Sequence, residues 1–213
     1  MERYDFYRYF SSLSTSEIVK NITSNNGEDE YTRLISRSEN LISAAFSYRS
    51  DITNSYFNQF GEREEFSYQY WSHVNFYLLT YEQSCYVVVE NPSRSLQRFF
   101  NKWSGSVDFN SKFDELNLEA LYDWLVGFKS LRVVKAKYKN ITVSGSTSAV
   151  IEMTSKGNAV KDISKLRIVE DAKLIKLKAE FYDGDRKVVL EVASNSTFSI
   201  DVSDGSNLEW LID

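Results

Sequence analysis

The side chains able to do chemistry in this chain are few and scattered. His73 and Cys85 are its one histidine and its one cysteine. Any Ser-His-Asp or Cys-His centre would have to use His73, because the nucleophile's proton needs an imidazole to receive it. His73 lies in the aromatic run "YQYWSHVNFYLL", and Cys85 precedes "YVVVE". Both are therefore expected to be packed, the thiol acting as a small apolar filler. A single cysteine and a single histidine do not supply the usual nitrogen and sulfur ligand set of zinc.

Carboxylates offer a second kind of chemistry. Glu170, Asp171, Glu180, Asp183, Asp185 and Glu191 crowd one stretch, as the ligands of a metal-dependent nuclease or hydrolase would. Asp183 and Asp185 flank Gly184, however, where turn chemistry explains them, and "DGDRKVVLE" lacks the ligand spacing of a calcium loop. "TVSGSTSAV" has one glycine and no Gly-Lys-Ser/Thr ending, so it is not a phosphate loop. No catalytic residue, cofactor or metal is singled out on these grounds.

The basic residues carry more. Lys135, Lys137 and Lys139 alternate, so a strand over 131–143 puts them on one face and Val134, Ala136 and Tyr138 on the other. No acidic residue lies between Leu131 and Ile151, and Lys156, Lys161, Lys165, Arg167 and Lys178 follow. The net charge of −5 hides a segregation: residues 1–128 hold 11 Lys+Arg against 18 Asp+Glu, residues 129–187 hold 14 against 7, and residues 188–213 hold none against 5. Such a surface suits an anionic partner, either an acidic protein or a nucleic acid. Aromatic side chains for stacking on bases are sparse on that face, since Tyr138 takes the apolar side.

Around these residues the chain reads as α+β, with a mainly helical, acidic, aromatic-rich part over about 1–129 and a mostly antiparallel sheet over about 131–213. Residues 28–60 carry the helical signal. Tyr31, Leu34, Ile35, Leu41, Ile42, Ala45, Ile52 and Tyr56 follow steps of three and four, and Gly61 would stop the helix. Residues 62–90 fit a helix or a strand, and the four charges at 62–65 favour a helix with a polar first turn. Asn91 and Pro92 would open a short helix through Leu96, Phe99, Phe100 and Trp103, and Asp114 another through Leu118, Leu121 and Leu125. "MERYDFYRYF" packs five aromatics into ten residues, expected as an N-terminal helix in the core or as interface anchors.

Beyond residue 130 strands are expected at 131–143, "SAVIEM", "KLRIV" and "STFSIDV", with a hairpin at 173–193. With Asp183 and Gly184 central in the turn, Ile175 faces Val192, Leu177 faces Leu190 and Ala179 faces Val188. Glu180 then meets Lys187, Lys176 meets Glu191, and Lys178 faces Val189 with no acidic partner. A further strand is expected over 208–212, closed by a loop of Asp204, Gly205 and Ser206.

No run approaches the ~18 residues a membrane helix needs, and the start lacks the basic cluster and apolar stretch of a secretory signal. The expectation is a soluble, cytoplasmic, non-enzymatic protein that binds a macromolecule, first of all as a subunit of a protein assembly. The alternatives are a nucleic-acid binder using the sheet of residues 131–187 and a carboxylate-dependent nuclease or hydrolase.

Overall fold

The computed structural model describes residues 1–9, 13–24, 26–81, 84–104, 115–144, 147–166, 172–203 and 210. In chain order the elements are β1 (Glu2–Tyr9), α1 (Thr15–Ser24), β2 (Glu30–Arg37), β3 (Leu41–Phe57), β4 (Arg63–Tyr81), β5 (Ser84–Glu90), α2 (Gln97–Ser104), α3 (Leu118–Leu125), β6 (Lys129–Ser144), β7 (Thr147–Thr154), α4 (Ala159–Ser164), β8 (Lys173–Asp183), β9 (Arg186–Ala193) and β10 (Thr197–Val202). No helix among the described residues is long and apolar enough to cross a membrane.

The expected helical N-terminal part is overturned. The described residues of 1–128 form five strands, two of them the longest described, and three short helices. The physical reason lies in β2 and β3. In β3 the apolar residues Ile42, Ala44, Phe46, Tyr48, Ile52 and Tyr56 recur mostly in steps of two, the period of a strand. The helical stripe arises only when Leu34, Ile35 and Leu41 are counted with them. A tight turn separates those residues, with the Ser38 N–H donating to the Leu41 carbonyl at 2.8 Å. That turn has Glu39 and Asn40 at its centre, so it lacks the glycine or proline that breaks a helix, and only the weaker turn signals of Ser38 and Asn40 mark it. Leu34 and Ile35 are exposed in β2.

Gly61 does not end a helix. It sits at φ 79° in the hairpin between β3 and β4, a conformation glycine adopts without a Cβ penalty. Asn91 and Pro92 do not open α2, which begins at Gln97. α3 is capped by Asn117, whose side chain accepts from the Ala120 N–H at 3.0 Å; Asp114 lies outside the described residues. The aromatic N-terminus is a strand, β1. Lys165 caps the end of α4, so "KLRIV" does not begin as a strand, and its last three residues lie outside the described residues. So does nearly all of the strand expected at 208–212.

The chain divides into two compact units, residues 7–112 and residues 1–6 with 113–213. In the first, β2, β3, β4 and β5 form an antiparallel series in that order. One face of β3 and β4 buries Ile42, Ala44, Phe46, Val74, Phe76 and Leu78 against Ile18 and Ile22 of α1 and Phe99 and Trp103 of α2. Trp103 stands edge-on to Phe76 at 4.7 Å and beside Phe99 at 5.5 Å.

In the second unit the strand order is β1, β10, β9, β8, β6, β7, again antiparallel. Val133, Ala136 and Tyr138 of β6, Leu177, Ala179 and Phe181 of β8, and Val188, Leu190 and Val192 of β9 are buried. Leu118 and Leu125 of α3 and Ala159 and Ile163 of α4 are buried as well.

Candidate functional site

Two surfaces stand out, one in each unit. The first is the lysine face of β6 and β8. The hairpin of β8 and β9 keeps the expected faces but not the expected pairs: Gly184 and Asp185 are central, so Ala179 meets Leu190, Leu177 meets Val192 and Lys178 meets Glu191. The shift is two residues, the strand period, so no side chain changes face. Ile175 leaves the apolar row, because the β6–β8 register shifts between Lys137 and Tyr138 and Leu174 is buried in its place.

β6 lies beside β8, and their register sets three lysines against three lysines: Lys135 opposite Lys178, Lys137 opposite Lys176, and Lys139 opposite Lys173. Directly opposed like charges destabilise a strand pair. Three glutamates at the rim offset part of this. Glu152 on β7 pairs with Lys135 at 2.8 Å and lies opposite Lys137. Glu191 on β9 pairs with Lys176, and with Lys178 at 3.8 Å. Glu115, just before α3, reaches Lys173 at 2.7 Å and Lys139 at 3.5 Å. Five of the six ammonium groups thus share three carboxylates, and Lys137 makes no ion pair among the described residues. Glu180, one row along, pairs with Lys187 at 3.7 Å. Lys178, expected without an acidic partner, has one in Glu191.

The remaining basic candidates do not join this face. Lys156 is in the turn after β7, Lys161 is on α4, and Lys165 at its C-terminus pairs with Asp162 at 2.9 Å. Arg167 lies outside the described residues. Lys173 and Lys176 were missed as members because membership depends on the pairing of β6 with β8, which no local pattern encodes. Tyr138 is buried on the opposite side, where burial first, then the nearby Glu119 and Tyr122, pushes its hydroxyl up to about 12.

The rim carboxylates respond to these lysines. A hydrogen bond and the charge of Lys173 hold Glu115 below the usual carboxylate range, and a hydrogen bond from Lys135 does the same to Glu152. Their folded values lie below the unfolded one, so their contribution to stability is complete above about pH 4.3 and is lost as pH falls through the lower folded values. Acidification below about pH 4 should therefore leave the lysine rungs uncompensated and steepen the loss of stability. The effect is small, since solvent screens exposed ion pairs. Denaturation midpoints measured from pH 7 to pH 3 should fall less steeply in a Glu115→Gln, Glu152→Gln double variant. An identical slope would show that these pairs do not form.

The second surface is the far half of the β3–β4 hairpin. β2 pairs with β3 only as far as Tyr48, and β5 pairs with β4 only from Phe76 onward. Between those limits Arg49–Phe57 and Arg63–Trp71 pair with each other alone, forming a two-stranded arm. Its register places Ser50 with Tyr70, Ile52 with Tyr68, Asn54 with Phe66 and Tyr56 with Glu64 on one face. The other face carries Asp51, Gln69, Thr53, Ser67, Ser55 and Glu65. The aromatic face continues the row of Ile42, Ala44 and Phe46 past the end of the cover that α1 and α2 provide. Tyr56, Phe66, Tyr68 and Tyr70 are each 44–54% exposed there, and Phe60 at the tip is 77% exposed. Phe66 stacks on Tyr68 at 6.0 Å and meets Tyr56 edge-on at 6.2 Å. The tip is acidic: Asn58 donates to Glu62 and Glu64, and the Tyr56 hydroxyl donates to Glu64. At the base the Arg98 guanidinium lies 4.9 Å over the Tyr48 ring, with Glu30 3.7 Å from it, and Arg49 is paired with Asp29 at 2.5 Å. This arm was hidden in sequence, since its residues had been divided between two expected helices.

His73 is exposed, contrary to the packed position expected of it, and its Nδ1 bonds the buried Ser47 hydroxyl at 2.8 Å across the β3–β4 pair. No carboxylate is bonded to that imidazole among the described residues. Cys85 is half-buried beside Tyr9, whose hydroxyl is pushed up by burial and by the thiol. Among the described residues no group of three or more His, Cys, Asp or Glu is placed to hold a metal ion. Compared with known proteins, the sequence matches no family model and no curated protein.

Proposed function

We propose that this chain is a non-enzymatic subunit of a protein assembly and that it engages its neighbour through the aromatic face of the β3–β4 arm. The observation that carries the reading is a core face that outruns its cover. Ile42 to Phe46 are sealed by helices, whereas on the same face Tyr56, Phe66, Tyr68 and Tyr70 are exposed, Ile52 is half-buried, and no helix covers them among the described residues. An isolated two-stranded ribbon is marginal in water, and a contiguous exposed apolar patch is characteristic of an interaction site. Tyrosine and phenylalanine on a β-ribbon lose little side-chain freedom on docking, which suits them as anchors.

The double variant Phe66→Ser, Tyr68→Ser tests this. Neither side chain is buried, so the melting temperature should stay within a few degrees of wild type. In a native lysate of the source cells the wild-type chain should elute well above monomer size and the variant should not. Co-elution of the two would remove the arm from the interface.

A second reading, an anionic partner on the lysine face, is supported by the three like-charged rungs of β6 and β8. The carboxylate-enzyme reading draws no comparable support, because Glu180 and Glu191 are engaged by lysines.

A further inference from the structure

We infer that the occupant of the aromatic face is the same face of a second copy, packed about a two-fold axis with the two arms antiparallel, tip to base. This rests on the proposed assembly role and names the partner. Two features of the arm point to it. The first is polarity along its length. The tip presents Glu62 and Glu64, and the base presents Arg98, held beside Tyr48 by the Arg49 carbonyl at 2.7 Å. Glu30 approaches that guanidinium only at 3.7 Å and bonds Lys102 more closely, at 2.7 Å. A parallel arrangement would put glutamate on glutamate and arginine on arginine. The antiparallel arrangement sets each acidic tip against the other copy's arginine, and a two-fold axis makes both contacts at once.

The second feature is the fit of the aromatic row. Its midpoint lies between the Ile52–Tyr68 and Asn54–Phe66 pairs. An axis there stacks Phe66 and Tyr68 of one copy on those of the other, with Tyr70 of each against Tyr56 of its mate. Two apolar sheet faces pack in this way about 10 Å apart. A two-stranded ribbon offers only a narrow contact, so the association should be reversible on dilution.

The experiment uses the full chain, purified, in a Cys85→Ala background. Sedimentation across a dilution series should show a monomer–dimer equilibrium. Glu62→Arg and Arg98→Glu should each weaken the dimer at least fivefold, and the two together should recover most of the loss, because the tip and base charges are simply exchanged. With a short bis-maleimide cross-linker, which spans the gap between two packed sheet faces that a disulfide cannot, Asn54→Cys, near the axis on the aromatic face, should form a linked dimer, and Thr53→Cys on the opposite face should not. A chain that stays monomeric at every concentration overturns the two-fold inference. If that chain still elutes in a larger complex from lysate and loses it on Phe66→Ser, Tyr68→Ser, the arm has a different protein as partner and the assembly reading survives. Equal cross-linking at Asn54→Cys and Thr53→Cys, or a dimer unaffected by Phe66→Ser, Tyr68→Ser, would remove the arm from the contact and overturn both.

Discussion

Trp103→Ala should cost the unit of residues 7–112 about 3–5 kcal/mol, the range for deleting a large buried aromatic. Trp103 is 2% exposed. Its indole stands edge-on to Phe76 at 4.7 Å and lies beside Phe99 at 5.5 Å, while Phe99 also meets Phe76 at 5.1 Å and Phe46 at 6.0 Å. These rings are the seam that holds α2 on β3 and β4, and α2 is only eight residues long. A helix that short has little stability of its own in water, so its order depends on that seam. The loss should appear in chemical denaturation of the purified chain, with α2 amides losing hydrogen-exchange protection first. A cost below about 1 kcal/mol, less than the burial of one such ring contributes, would show that α2 is not seated on the sheet. The variant also bears on the arm: with α2 loosened, the uncovered apolar row extends back to Phe46, and self-association should become less specific and more prone to aggregation.

Replacing Lys135, Lys137 and Lys139 together by glutamate should leave the chain folded, with its stability close to that of the wild type. Opposite charges across a strand pair are worth roughly 0.2–1 kcal/mol per pair and like charges destabilise. The change turns three opposed lysine rungs into three glutamate–lysine rungs. Offsetting that gain, the new carboxylates at 135 and 137 face Glu152 and the one at 139 faces Glu115, so two ion pairs become like-charge contacts and a third such contact is added. None of the three lysines is buried, so packing is untouched. The variant should also lose any retention on a phosphate-bearing resin that the wild type shows, and the wild type's retention should fall steeply with salt. A large drop in melting temperature would mean that the β6–β8 register is wrong, because the lost rim pairs would then be offset by no new glutamate–lysine rungs. Unchanged stability with no wild-type retention would mark the lysines as a solvated face. Salt-sensitive retention abolished in the variant would favour the anionic-partner reading over the arm as the main contact.

Local pattern was sufficient for part of this architecture. The alternation of Lys135, Lys137 and Lys139 with Ala136 and Tyr138 settles which side of β6 is polar, because successive side chains of a strand point to opposite faces whatever lies next to it. The same period let the faces of β8 and β9 stand when their register moved by two residues. The spacing of Leu118 and Leu125 marked α3, since its buried stripe repeats near 3.6 residues within one short element.

The rest depended on distant parts of the chain. Leu34, Ile35 and Leu41 made a helical stripe that existed only because a hairpin turn without glycine or proline was weakly marked. The lysine rungs exist because β8, some forty residues downstream, pairs with β6, and the acids that temper them come from β7, β9 and the approach to α3. The arm is an arm because β2 and β5 stop short of it and α1 and α2 cover only its base. Its sequence puts Phe66, Tyr68 and Tyr70 on one face if they form a strand, and the pairing with β3 adds Ile52 to that face. Whether such a face becomes core or interface is decided by what the other elements leave uncovered, because burial is a property of the packed chain and not of the segment.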